Sequence, residues 1–217
     1  ILVDRLPSVE LIRFTNSGTE GVMMAIKAAR AFTGRPKIVK IEGAYHGSYD
    51  FAEVSLDSTP ANWGDCPNST PYAKGTPQGV LDDVLVVPFN DIELLDAVLR
   101  QHGDGIAAVL IDPMPSRAGL VPSRREYIDA LFDSARSIGA LVIFDEVIAF
   151  RLGYSGAQGI WGADPDLTVL GKIIGGGFPV GAVGGRAEVM QVFDGTSGKP
   201  ALPHGGTFTA NPVTMHA

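Results

Sequence analysis

Leu141-Val142-Ile143-Phe144-Asp145-Glu146 decides the fold of this 217-residue chain. Three of its four apolar residues are β-branched or aromatic, and no polar residue alternates with them. The run therefore reads as a strand buried on both faces, which belongs in a largely parallel sheet covered by helices. It stops abruptly on an acidic pair. A second run, Leu167-Thr168-Val169-Leu170, stops on Gly171-Lys172, with the triplet Gly175-Gly176-Gly177 close behind. A carboxylate and an amine are thus delivered at the ends of two buried strands, where ligands of open α/β sheets collect.

The rest of the chain alternates in the same way. Arg13-Phe14-Thr15 leads into Asn16-Ser17-Gly18-Thr19-Glu20, in which Ser17 and Glu20 have capping-box spacing. The helix after them reaches about Phe32 on the apolar positions Val22, Ile26, Ala29 and Phe32, with Gly34 placed to end it. Lys37–Ile41, Val84–Val87, Ala107–Ile111 and Val180–Val183 read as further strands. Ile92–Gln101, Arg124–Ser137 and Ala187–Phe193 read as helices, the second closed by Gly139. The expected fold is α/β, a mainly parallel sheet flanked by helices. Residues 52–82 stand apart: Pro, Ser, Asn, Thr and Gly dominate without sustained periodicity, as in a lid, a binding loop or an insert.

Composition narrows the function classes. A hydrophobic content of 45% is ample for a buried core. The formal charge of −7, without any basic run, argues against nucleic acid or an anionic membrane as the main partner. Cys66 is the only cysteine, so no disulfide can form within the chain and no cysteine-cluster metal site can either. No apolar run approaches the roughly 20 residues of a membrane-spanning helix, and no basic-then-apolar leader opens the sequence, so a soluble cytoplasmic protein is the default. The chain starts at Ile1 and stops at Met215-His216-Ala217, inside what reads as the opening of a helix, and a fragment of a longer protein is expected.

Four chemical signals lie just beyond expected strands: Ser17-Gly18-Thr19, Tyr45-His46-Gly47, Asp145 and Lys172. The first offers backbone N–H groups, two hydroxyls and the positive end of a helix dipole, which suit a phosphate dianion; taken alone, it is also an ordinary helix cap. Tyr45 and His46 suit stacking on an aromatic cofactor, or simply form a partly buried pair. A carboxylate at Asp145 has to be paired, by a salt bridge, a helix cap or a protonated ring nitrogen. Lys172 is followed by Ile173-Ile174, and partial burial there would favour the neutral amine that imine formation needs; on its own it reads first as a surface lysine at a strand end. A lysine for the imine and an acid for the pyridinium nitrogen are what pyridoxal phosphate requires. The glycine-rich stretch Gly171–Gly185 contains no GxGxxG, and Gly198-Lys199 lacks the remainder of a P-loop. No HExxH occurs, and no metal is expected.

Together these residues resemble the class III aminotransferases of pyridoxal-phosphate fold type I. The likeness runs over essentially the whole chain through Asn16-Ser17-Gly18-Thr19-Glu20, Tyr45-His46-Gly47, Phe144-Asp145-Glu146-Val147, Leu170–Gly177 and Gly206-Thr207-Phe208. The resemblance implies that residues 1–217 are the cofactor-binding large domain, without the N-terminal segment and small C-terminal domain of the family. It implies that Lys172 carries the cofactor and shuttles a proton, Asp145 meets the pyridine nitrogen, Val147 packs behind the ring and Tyr45, beside His46, stacks in front. Ser17, Gly18 and Thr19 would hold the phosphate. Thr207 would reach the cofactor of a neighbouring subunit, making a homodimer. The reactants would be a small-molecule amino donor and a carbonyl acceptor.

Within the class the sequence is most similar to the glutamate-1-semialdehyde aminomutase-like subgroup, including transaminases of β-amino acids. Asp112-Pro113-Met114 replaces the usual Glu-Pro-Val, and Asp145–Arg151 departs from the mutase run DEVMTGFR. The stretch Phe193–Phe208 also looks more like the β-amino acid transaminases. A transaminase is therefore expected, with the aminomutase proper and an inactive cofactor-binding homologue as alternatives. Residues 52–82 are expected to gate the pocket.

Overall fold

A computed structural model describes residues 1–63 and 67–216, so Cys66 and the centre of the 52–82 stretch lie outside the described residues. Seven strands form one sheet: β1 (Leu11–Thr15), β2 (Lys37–Ile41), β3 (Val84–Val87), β4 (Ile106–Ile111), β5 (Leu141–Asp145), β6 (Leu167–Leu170) and β7 (Gly181–Gly185). The helices are α1 (Leu2–Arg5), α2 (Gly18–Thr33), α3 (Asp50–Glu53), α4 (Gln78–Asp82) and α5 (Ile92–His102). After them come α6 (Arg125–Ser137), α7 (Gly156–Trp161), α8 (Ala187–Met190) and α9 (Pro212–His216). The expected strands and long helices are present with small shifts of boundary. Residues 52–82 are less irregular than their composition suggests, since α4 closes them.

The sheet runs in the order β1-β7-β6-β5-β4-β2-β3. Only β7 is reversed, antiparallel to both β1 and β6. The reason is length: few residues separate β6 from β7, too few for the crossover that a parallel return needs. The glycines of β7 serve packing. A Cβ at Gly181 would lie 2.2 Å from the Ser17 carbonyl oxygen, and one at Gly185 would lie 2.2 Å from that of Asp166. The glycine-rich run is therefore a strand pressed between its neighbours rather than a nucleotide loop.

Alternation along each strand divides the core. Ile38, Leu110, Ile143 and Val169 face α2, which packs Val22, Ala25, Ile26 and Ala29 onto them. Val39, Val109, Val142 and Phe144 face the other way, toward Leu95 and Leu99 of α5 and Tyr127, Ile128 and Leu131 of α6. Each fully buried Val, Leu or Ile contributes about 1.5–3 kcal/mol, so these two layers set the sheet in place. Because β1, β2, β4, β5 and β6 run in one direction, their carboxyl ends open on a single edge.

Candidate active site

α2 begins at that edge. Ser17 is its N-cap, its Oγ accepting the Glu20 N–H at 3.2 Å. The Glu20 carboxylate reaches back to the Asn16 N–H at 2.8 Å, one residue before the cap expected from the capping-box spacing. Among the described residues the N–H groups of Gly18 and Thr19 have no acceptor within the protein. Two free donors at the positive end of a 16-residue helix make an anion cradle. Gly18 cannot be larger, since a Cβ there would lie 2.8 Å from Val147 Cγ2. Gly47, at φ 89°, seats its backbone against Thr19, where a Cβ would come within 2.5 Å of Oγ1.

Asp145 closes β5 and is buried. Its Oδ1 accepts the Val147 N–H at 3.0 Å, and His46 Nδ1 stands 2.8 Å from its Oδ2. Burial pushes the His46 imidazole below its usual range, more than Asp145 beside it lifts it. A neutral ring against a carboxylate carries its proton on Nδ1, so His46 donates to Asp145. The buried Nε2 of His46 then has no partner within the described residues.

Asp112 stands beside Asp145. The register Ile111↔Phe144 puts both aspartates one residue further along neighbouring parallel strands. Burial first, then the Asp145 charge, raise the Asp112 carboxyl to about 7; the Met114 N–H, donating at 2.9 Å, and Lys172 act the other way. The sequence carries the same signal here as at Asp145, an apolar run stopped by an acid, but marked Asp112 only as a departure from a family pattern. The pair is thus divided: one partner holds a proton more readily, and the other is fixed by two donors.

Lys172 follows β6 with φ 47°, in the left-handed region that side chains adopt at a cost of order 1–3 kcal/mol. It is exposed, so the partial burial expected for it is not found. The glycine turn that follows lifts the lysine clear of the apolar layer, and Ile173 is exposed with it. Ser17, Gly18, Thr19, Tyr45, His46, Asp112, Asp145, Val147 and Lys172 line one cavity of about 120 Å³, with Val22 and Ile148 in its wall. Tyr45 keeps 39% of its surface exposed, leaving a ring face available. Thr207 is exposed and lies outside this lining. A larger cavity of about 700 Å³ runs beneath Phe14, Phe150 and Ile174 and is mostly apolar, with two arginines and no carboxylate. The carboxylates, the imidazole and Lys172 line the smaller one.

Glu146, next to Asp145, faces the opposite layer. It is fully buried and accepts from Ala157 N–H at 2.6 Å, Gln158 N–H at 3.0 Å and Gln158 Nε2 at 3.0 Å. Gln158 in turn accepts from Ser8 Oγ at 2.6 Å. Burial raises the Glu146 carboxyl. Its role is to fix the turn that aims Asp145 and Val147 at the cavity.

The arrangement offers an anion cradle, a fixed carboxylate, an exposed ring and an amine around one opening. It therefore fits a flat heteroaromatic ligand carrying both an anionic arm and a basic ring nitrogen. The family model for class-III aminotransferases matches residues 1–217. Glutamate-1-semialdehyde 2,1-aminomutase of Caldivirga maquilingensis is 48% identical over 97% of this chain and 47% of its own length. An omega-transaminase from Sphaerobacter thermophilus superposes with a TM-score of 0.96 at 60% identity, over 99% of this chain and 49% of that one. A transaminase solved with PLP bound gives a TM-score of 0.93 at 50% identity, over 99% and 49% of the two chains. The chain spans about half the length of these relatives.

Proposed function

The chain belongs to the class-III aminotransferases, and from that premise we propose that it forms the cofactor-binding domain of a transaminase dependent on pyridoxal 5'-phosphate. The observation that carries this is the convergence of Lys172, the Asp145–His46 pair and the free N–H groups of α2 on one cavity. Gly18 and Thr19, with the Ser17 cap, would hold the phosphate. Asp145 would face the ring nitrogen, Val147 would back the ring and Tyr45 would cover it. When bound, the cofactor supplies a carbonyl for an amine and a ring that takes up electrons.

The residues of the chain do the rest. Lys172 would hold the cofactor through Nζ, and the same amine, when free, would serve as the base and acid that moves the substrate's proton. Its exposure at the opening leaves the amine room for that movement. Asp145 is oriented by His46 and the Val147 N–H, so its carboxylate does not have to reorganise to meet a ring cation. Asp112, holding its proton more readily, adds less negative charge beside it.

The reactants in this reading are a small amino donor and a carbonyl acceptor, and the enzyme is a cytoplasmic homodimer. Exposed Thr207 and Phe208, away from the chain's own cavity, suit a loop serving the partner's pocket. The experiment uses the full-length protein loaded with pyridoxal phosphate. Borohydride reduction followed by peptide mapping should label Lys172, and adding a β- or ω-amino acid should convert the cofactor's absorbance. Label on no lysine, or spectra that no amine changes, would overturn the proposal.

A second reading, the aminomutase proper, is favoured by the 48% identity to named aminomutases. The Asp112-Pro113-Met114 departure and the 60% identity to an omega-transaminase weigh toward the first. Glutamate-1-semialdehyde supplied without any other amine or keto acid separates them: 5-aminolevulinate forms only if the second reading holds.

A further inference from the structure

We propose that Lys40 is a positioning residue of this cavity: its Nζ ties the returning end of the Glu42–Ser55 excursion to the end of β2, and so holds Tyr45 and His46 in place beside Asp145. The part of this that concerns the cofactor rests on the reading above; the tie itself does not.

Lys40 is fully buried in the sheet, on the face that α2 covers. No carboxylate lies within ion-pair distance of it among the described residues. Its Nζ instead donates to the Val54 carbonyl at 2.7 Å and the Ile41 carbonyl at 3.2 Å. Two residues beyond Ile41 the Gly43 N–H donates to the Ser55 carbonyl at 2.9 Å. Two successive carbonyls, Val54 and Ser55, are therefore captured at the point where the excursion began. Ser55, at φ 54°, turns the backbone there. The segment leaves and re-enters the sheet edge at one place, as a compact surface loop does.

Everything this loop gives the cavity lies between those two ties. Tyr45, His46 and Gly47 line it, and Phe51 and Ala52 seat α3 on the α2 layer. The choice of lysine follows from donor count. A neutral amine has two N–H groups, and two carbonyls take both; an apolar side chain would leave the Val54 carbonyl buried without a donor. Burial lowers the Lys40 amine to about 7, with Glu42 the acid opposing that, so the uncharged form suits this setting.

Hydrogen exchange on the full-length protein, together with titration of pyridoxal phosphate, tests the tie. In the wild type the amides of Gly43–Ser55 should be protected to within a hundredfold of those in β2; faster exchange would overturn the proposal before any variant is made. In Lys40→Met, those loop amides should exchange about tenfold faster while β4 and β5 keep their wild-type rates, and the cofactor's dissociation constant should rise about tenfold, as expected for one lost net hydrogen bond. Acceleration spread equally over the sheet would make Lys40 a core residue only, and unchanged loop exchange would remove the tie; either result sinks the proposal. If Lys40→Met does not fold, Lys40→Gln, which keeps an N–H donor on a shorter stem, is judged by the same two readouts. If the wild type takes up no pyridoxal phosphate, the functional reading fails, and the exchange pattern still decides the tie.

Discussion

The ends of β2 and β6 each carry a lysine, and the two side chains have opposite surroundings. Lys172 stands exposed at the cavity with φ 47°, while Lys40 is fully buried with its amine on two main-chain carbonyls. The same contrast recurs within one dipeptide. Asp145 faces the cavity and holds His46; Glu146 faces the core and has three donors of its own. At the proposed site a charged group retains unmet capacity toward an opening. Where every donor or acceptor is already matched inside the protein, the same chemical type serves the frame.

Variants can break that contrast, and the largest effect is expected at Lys172. On the proposed function, Lys172→Ala in the full-length protein should lower amino-transfer turnover by about 10³-fold, the middle of the range for losing a proton-transfer group, with the melting temperature nearly unchanged. Steady-state rates beside a thermal melt check both. Loss of stability comparable to that of a core variant would erase the distinction between the two lysines.

Glu146→Ala should behave in the reverse sense. It leaves the buried Ala157 and Gln158 N–H groups without an acceptor and Gln158 Nε2 with only Thr168 Oγ1, and should cost about 3 kcal/mol in a urea titration. A variant as stable as the wild type would mean that water or a rearranged Gln158 replaces the carboxylate.

The two pH responses are smaller and opposite in sign. Lys40 has a folded value of about 7 against 10.5. The unfolded chain therefore keeps the proton that the folded one loses, and the stability of the wild type relative to Lys40→Met should rise by about 1 kcal/mol per pH unit above 7. Asp112 has a folded value of about 7 against 3.8. Its contribution is fully present below the lower value and lost as pH rises to the upper one. Relative to Asp112→Asn, the wild type without cofactor should weaken by somewhat less than 1 kcal/mol per pH unit across that window, then level off. Melting curves at pH 4, 6, 8 and 9 for the three proteins would show both slopes; parallel curves would place Lys40 and Asp112 in water.

Much of this was legible in the residues. Apolar runs ending on Asp145 and Gly171-Lys172 marked the edge, and Ser17 with Gly34 marked the helix. The sequence also made Lys172 partly buried, because two isoleucines follow it; in the fold Lys172 and Ile173 turn outward, and only Ile174 packs back on the core. His46 read, with Tyr45, as suited to stacking on an aromatic cofactor or as half of a partly buried pair, whereas the loop brings its Nδ1 to Asp145, 99 residues away in sequence.

The sequence by itself determined the order of strands and helices, because hydrophobic periodicity and end-capping are local properties. It also determined which chemical groups stand at strand ends. Only the tertiary structure decided the pairing of Asp145 with His46, the upward shift of the Asp112 carboxyl and the burial of Lys40. Those depend on which chain segments share a low-dielectric space, and a side chain's protonation and partners are set by that space rather than by its neighbours in sequence.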